Sequence, residues 1–184
     1  MKRFFTLFFL LLLSFAAPKA QSASYDEFPI TVTNGLTSYS LMSHYYWDSP
    51  DYTFSNSIKG VRLTFLSNNT GEQFNGYPAV DIAELTFYDK GYNIIQYSAD
   101  QISVNSAESG SDDLNTLCDN SWSTYFSSAY KNASITPKSY VYIDITFQQP
   151  INTFFFTLVS GSMIKAPTSM VITECGTAYD GSKD

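Results

Sequence analysis

Leu117-Cys118-Asp119-Asn120-Ser121-Trp122-Ser123-Thr124-Tyr125-Phe126-Ser127-Ser128, with Tyr140-Val141-Tyr142-Ile143-Asp144-Ile145-Thr146-Phe147-Gln148-Gln149-Pro150-Ile151 downstream of it, is the stretch whose reading decides the fold. The first part is a tight polar turn and the second a strand. Strict alternation puts Val141, Ile143, Ile145 and Phe147 on one face and Tyr142, Asp144 and Thr146 on the other, the period of a half-buried β-strand. In the turn, Asp119 and Thr124 stand five residues apart. That spacing can bring one carboxylate, one hydroxyl and several carbonyls to a single point, which is how a loop holds a hard cation.

Working outward, further strands are expected over residues 60–66, 80–88, 101–105, 139–147, 153–159 and 169–174, separated by polar turns. Residues 106–114 are rich in Ser, Asp and Gly and read as a loop, with room for one helical turn before Cys118. Fourteen Tyr and fifteen Phe, together with many Thr, Val and Ile, favour sheet over helix. No internal repeat or long helical period appears. Short strands broken by turns predict an all-β sandwich.

Lys2 and Arg3 precede an apolar run over residues 4–13 and then small residues at Ala16, Ala17, Ala20 and Ala23, the pattern of a secretory signal peptide over residues 1–23. The run is too short to span a bilayer by preference, and an uncleaved signal anchor is the alternative. Cleavage would leave about 160 residues, enough for one domain with a real core. It would also remove Lys2, Arg3 and Lys19, so that seven basic residues face seventeen acidic ones, a net charge of −10. Nucleic acid and anionic membranes are poor partners for such a surface. The expected location is secreted or at the cell surface, or the periplasm of a bacterium. Export permits a disulfide between the only two cysteines, Cys118 and Cys175, and that pairing is expected, with two buried free thiols as the alternative.

At the turn and strand the chain resembles the coagulation factor five/eight type C domain, also called the discoidin or galactose-binding-like domain. That family reads Asp-Gly, a short turn, Ser-Thr-aromatic-Trp, and then a strand with an Ile-Asp-Leu core. Asp119, Ser123, Thr124 and Tyr125 match in register, as do Ile143 and Asp144; Asn120 replaces the Gly, Phe126 the Trp and Ile145 the Leu. Asn tolerates positive φ better than other non-glycine residues, so the turn survives the first change. The block Asp81-Ile82-Ala83-Glu84-Leu85-Thr86-Phe87-Tyr88-Asp89-Lys90-Gly91-Tyr92-Asn93-Ile94 looks like the acidic strand and Asp-x-Gly turn of secreted members. Together the matches span roughly residues 58–182.

The resemblance implies a jelly-roll β-sandwich over residues 58–184, preceded by residues 24–57 as an extension or first strands. It implies binding loops at one end and a structural calcium. The calcium ligands would be Asp119, Ser121 through its carbonyl, Thr124, and either Glu84 or Glu174. The plainer reading is that Asp119 and Thr124 only cap their own turn. Asp180-Gly181 looks like the family's late hairpin turn; either residues 28–33 close the sandwich or the sequence is a piece of a longer one.

Sugar recognition needs an aromatic face and fixed hydrogen-bonding groups. Trp122, in a turn where a core has little claim on it, and the cluster of Tyr45, Tyr46, Trp47 and Tyr52 beside His44 are the candidates, against ordinary packing. Arg62, the only arginine after the leader, could clamp a carboxylated or sulfated sugar or could pair with an acid on a solvated face. Catalysis is disfavoured: His44 is the only histidine, there is no nucleophile elbow, and zinc lacks ligands, although seventeen acids allow a carboxylate pair. Asn68-Asn69-Thr70 and Asn132-Ala133-Ser134 are glycosylation sequons in expected loops, sterically open to modification. The function expected is a non-catalytic, lectin-like module binding a glycan or cell-surface glycoconjugate. The alternative is a protein-binding adhesion or matrix module on the same loops, with strong membrane binding disfavoured by charge.

Overall fold

The structure is a computed structural model that describes residues 26–29, 46–49, 51–110, 113–128, 133–136 and 138–179. The expected signal peptide, His44, Tyr45 and Asn132 of the second sequon lie outside the described residues. Nine strands form one continuous antiparallel sheet: β1 (Asp26–Pro29), β2 (Tyr46–Asp48), β3 (Tyr52–Asn68), β6 (Asp81–Asp89), β7 (Ile94–Ile95), β8 (Ile102–Val104), β10 (Phe126–Ser127), β12 (Tyr142–Ser160) and β13 (Pro167–Glu174). Two small ribbons stand beside it, one of β4 (Gln73–Phe74) with β5 (Tyr77–Pro78) and one of β9 (Ala107–Glu108) with β11 (Ala133–Ile135). Among the described residues helix is confined to two 3-10 turns, Ala99–Gln101 and Leu114–Leu117. Among the described residues no helix is long and apolar enough to cross a membrane.

The sheet folds on itself because two strands are too long for one layer. Residues 142–146 of β12 lie between β3 and β8, with β13 and β1 beyond β3. Residues 154–160 of the same strand lie against β6, with β2 on the other side and β7 and β10 beyond β6. The bend falls where Thr146↔Gly60 gives way to Ile151↔Ile58, five residues on β12 against two on β3. Pro150 sits in this bulge, where a residue without an N–H costs the ladder least. Gly60 is required at the bend by proximity, because a Cβ there would lie 2.3 Å from the Ile145 carbonyl oxygen. The expected strands 139–147 and 153–159 are thus one element, and β3 runs through the expected boundary at 57/58.

The decisive alternation holds. Val141, Ile143, Ile145 and Phe147 are buried and join Leu63, Phe65, Met170 and Ile172 of the first layer and Ile82, Leu85, Phe87, Phe156 and Leu158 of the second in one core. Burying side chains of this size stabilises the fold by about 1.5–3 kcal/mol each before chain entropy is set against it. The result is an all-β, sandwich-like fold.

The expected disulfide is not formed. Cys118 and Cys175 are both free thiols. Cys118 caps the Leu114–Leu117 turn and packs on the core, near Glu84 and Asp119. Cys175 follows β13, its N–H donating to the Gly60 carbonyl (3.0 Å), near Arg62 and Asp144. The sequon at Asn68 also reads differently in three dimensions. Asn68 ends β3, is only 6% exposed, and its Nδ2 donates to the Glu72 and Ala79 carbonyls (2.7 and 2.6 Å), so the folded chain leaves no room for a glycan on it.

Candidate functional site: an aromatic and acidic cleft on the outer face of the second layer

Residues directly opposite on antiparallel strands point to the same side. The register therefore builds the outer face of the second layer row by row. Tyr46, Val159 and Glu84 make one row, Asp48, Thr157 and Thr86 the next, and Phe155, Tyr88 and Ile94 a third. The alternate residues Trp47, Phe156, Leu158, Leu85 and Phe87 face inward; Trp47 packs edge-on against Phe156 at 5.4 Å.

On this face lies a cleft of about 430 Å³, lined by Tyr46, Asp48, Ser49, Asp51, Tyr88, Tyr92, Phe155 and Thr157. Tyr88 and Phe155 stack across the strands with centroids 4.8 Å apart and planes 9° from parallel. Tyr92 meets Phe155 edge-on at 5.3 Å and is 78% exposed. Its backbone is left-handed, φ 63°, a conformation that costs a bulky side chain about 1–2 kcal/mol. Asp89 holds the turn in that shape: its carboxylate accepts from the N–H of Gly91 (2.7 Å) and of Asn93 (2.9 Å) and from the Asn93 amide (3.0 Å), which lowers its pKa. At the other end, the Tyr46 hydroxyl donates to Asp48 Oδ1 at 2.7 Å; burial, and then this acceptor, push the Tyr46 pKa up. Asp51 is exposed and has no hydrogen-bond or ion-pair partner among the described residues.

The Asp119 turn folds over the far end of the first row. Asn120 adopts φ 58°, the left-handed conformation its place in the turn requires. Asp119 Oδ1 accepts from the Ser121 N–H (2.8 Å) and Oδ2 from the Thr124 hydroxyl (2.7 Å), so the turn is capped by its own aspartate. Glu84 Oε2 accepts from the Asn120 N–H at 2.9 Å. The Tyr97 hydroxyl donates to the Leu85 and Leu117 carbonyls and tethers the preceding segment to β6. Glu84 is 7% exposed, and burial pushes its carboxyl up to about 7, against the N–H groups of Asn120 and Ser121 and the Thr86 hydroxyl, which lower it; Asp119 adds to the rise. The structure therefore brings together Glu84, Asp119, Ser121 and Thr124. Glu174 stands apart, exposed at the end of β13 opposite Val61. Oxygen donors of this kind suit calcium in type. They supply two carboxylates, and among the described residues no group of three or more Asp, Glu, His or Cys side chains converges.

Of the expected ligand residues, Tyr46 lines the cleft. Trp122 is half-buried in the turn, its ring 6.4 Å from that of Tyr46, and Trp47 serves the core. Arg62 is committed elsewhere: its Nε and Nη2 donate to the two carboxylate oxygens of Asp144 (2.7 and 2.6 Å), its guanidinium lies 3.7 Å from the Tyr142 ring centroid, and it is 8% exposed. It pairs with an acid, but on a buried face. Tyr88, Tyr92, Phe155, Asp48 and Asp51 were not among the sequence candidates. Alternation could have found Phe155, which falls between Thr153 and Thr157 on the polar side of Phe154, Phe156 and Leu158. Burial raises both thiols, so neither is an activated nucleophile. Set against known proteins, the chain matches no protein-family model, no curated protein and no solved structure.

Proposed function

We propose that this chain is a secreted, non-catalytic recognition module of the discoidin, jelly-roll type that binds carbohydrate in the cleft on its second layer. The observation that carries the reading is Tyr92. An aromatic ring 78% exposed on a left-handed backbone, against the Tyr88–Phe155 pair, is costly to the fold, and such strain persists where function uses it. The rings supply the apolar surface a pyranose face requires, and Asp48, Asp51 and Thr157 supply hydrogen-bonding groups beside it. The carboxylate pair of Glu84 and Asp119 lies outside the cleft lining and is held by hydrogen bonds from its own turn. A calcium ion on Glu84, Asp119, Ser121 and Thr124 would neutralise that pair and brace the turn carrying Trp122.

The test is a glycan array probed with the protein from Ser24 onward, in calcium and in chelator, alongside Tyr92→Ala, Phe155→Ala and Trp122→Ala variants. Selective binding lost in Tyr92→Ala and Phe155→Ala places the site in the cleft. Loss confined to Trp122→Ala moves it to the turn. A blank array from folded protein refutes the glycan reading.

A second reading, a protein-binding adhesion module, draws on Met163 and Ile164. They are 40% and 55% exposed in the turn between β12 and β13. A partner whose capture is abolished by Met163→Ser/Ile164→Ser and unaffected by Tyr92→Ala would favour it.

A further inference from the structure

The charge of the cleft narrows what it can take. Of its eight lining residues, Asp48 and Asp51 are the only charged ones, and both are acidic. Neither is in an ion pair among the described residues, where the cations engaged are Arg62, held by Asp144, and Lys165, held by Asp81 and Glu108. The nearest lysine in sequence, Lys90, lines a separate hollow with Pro150, Ile151 and Asn152. Tyr46 occupies one oxygen of Asp48, and the other has no donor among the described residues. An anionic sugar entering here would meet two carboxylates and, among the described lining residues, no counter-charge. A protonated amine would meet both carboxylates and, beside them, the electron-rich faces of the aromatic rings that line the cleft, which attract ammonium groups.

The register gives the spacing. Asp48 and Thr157 lie one row from Phe155 and Tyr88, two residues along each strand, or about 6.7 Å. A sugar ring resting on the aromatic row therefore places a ring substituent, or the adjoining sugar, at the acidic row. We infer that this cleft selects glycans bearing free protonated amines, such as glucosamine polymers, over their N-acetylated and acidic counterparts. This inference rests on the carbohydrate reading and names the substrate class of that same site.

The experiment is calorimetric titration of the protein with three matched hexamers, β-1,4-glucosamine, β-1,4-N-acetylglucosamine and oligogalacturonate, at a pH of about 5.5, where the glucosamine amines are protonated. It is repeated in high salt and with the Asp48→Asn/Asp51→Asn variant, whose melting temperature reports folding. The glucosamine hexamer is expected to bind about tenfold or more tightly than the N-acetylated one, oligogalacturonate not to bind, and the preference to shrink in high salt and in the variant. Equal binding of the first two hexamers, or strongest binding of the acidic one, overturns the amine preference and leaves the carbohydrate reading standing. So does failure of all three hexamers when a neutral glycan on the array binds through Tyr92. Absence of binding to any glycan by folded protein, or capture of lysine-rich peptides alone, removes both.

Discussion

Replacing Glu84 with glutamine probes the junction between the Asp119 turn and the cleft face. The Glu84 carboxyl is pushed up to about 7 from an ordinary value of 4.5, with burial the first cause and Asp119 a further one. Between those two values the folded chain keeps a proton that the unfolded chain has released. Stability is then fully present below about pH 4.5 and is lost as pH rises through 7. At about 1.4 kcal/mol per pH unit, the loss is about 3–4 kcal/mol by pH 8. Glutamine keeps an acceptor for the Asn120 N–H and removes the charge facing Asp119. In chelator, Glu84→Gln should match the parent at pH 4.5 and exceed its stability by about 3–4 kcal/mol at pH 8. In calcium the order should reverse at pH 8, because an ion bound only to the folded parent stabilises it by mass action. Urea denaturation followed by the fluorescence of Trp47 and Trp122, at three pH values with and without calcium, measures all of this. A parent whose stability is flat from pH 5 to 8 in chelator, or a variant less stable than the parent at pH 8 in chelator, refutes the account of Glu84. A denaturation midpoint unmoved by calcium refutes the ion.

Three further expectations follow from the geometry. Gly60→Ala drives a Cβ against the Ile145 carbonyl and the Thr146 Cα, backbone atoms that cannot turn aside, and should cost about 3 kcal/mol or abolish folding, as read by denaturation. Tyr92→Gly relieves the left-handed backbone but loses the ring contact with Phe155; these effects are of similar size, so stability should change by less than about 1 kcal/mol while glycan binding falls at least tenfold. In a host that glycosylates exported proteins, peptide mass spectrometry should find Asn68 unmodified, and Asn68→Asp, which replaces two buried amide donors with a carboxylate, should destabilise the fold by about 2 kcal/mol or more.

What was legible in the sequence was periodicity. Val141, Ile143, Ile145 and Phe147 announced a strand and its buried face, and Leu85 and Phe87 did so for β6. The turn chemistry of Asp119, Asn120 and Thr124 was also local and could be read directly. The continuity of β12 was hidden because Gln148-Gln149-Pro150 has the composition of a loop, while its role as a bulge depends on a partner strand more than eighty residues away. The cleft was hidden for a related reason. Its parts come from β2, the β6–β7 turn and the far half of β12, and only register brings Tyr88 beside Phe155. That Arg62 would pair with an acid was foreseeable, but not which acid or that the pair is buried, because nothing local reveals that Asp144 lies directly opposite it. Cys118 and Cys175 were distant in sequence, and sequence carries no separation in space.

The pairing of β3 with β12 through the bend has a mechanical consequence. One hydrogen-bonded ribbon is a member of both layers, so neither layer can peel away while the other remains intact. Slow amides in the first layer, such as Leu63, and in the second, such as Leu158, should exchange with a single opening free energy, through loss of the whole structure rather than fraying by halves. A protease nick within residues 148–150 would sever that shared tie and should unfold both layers together.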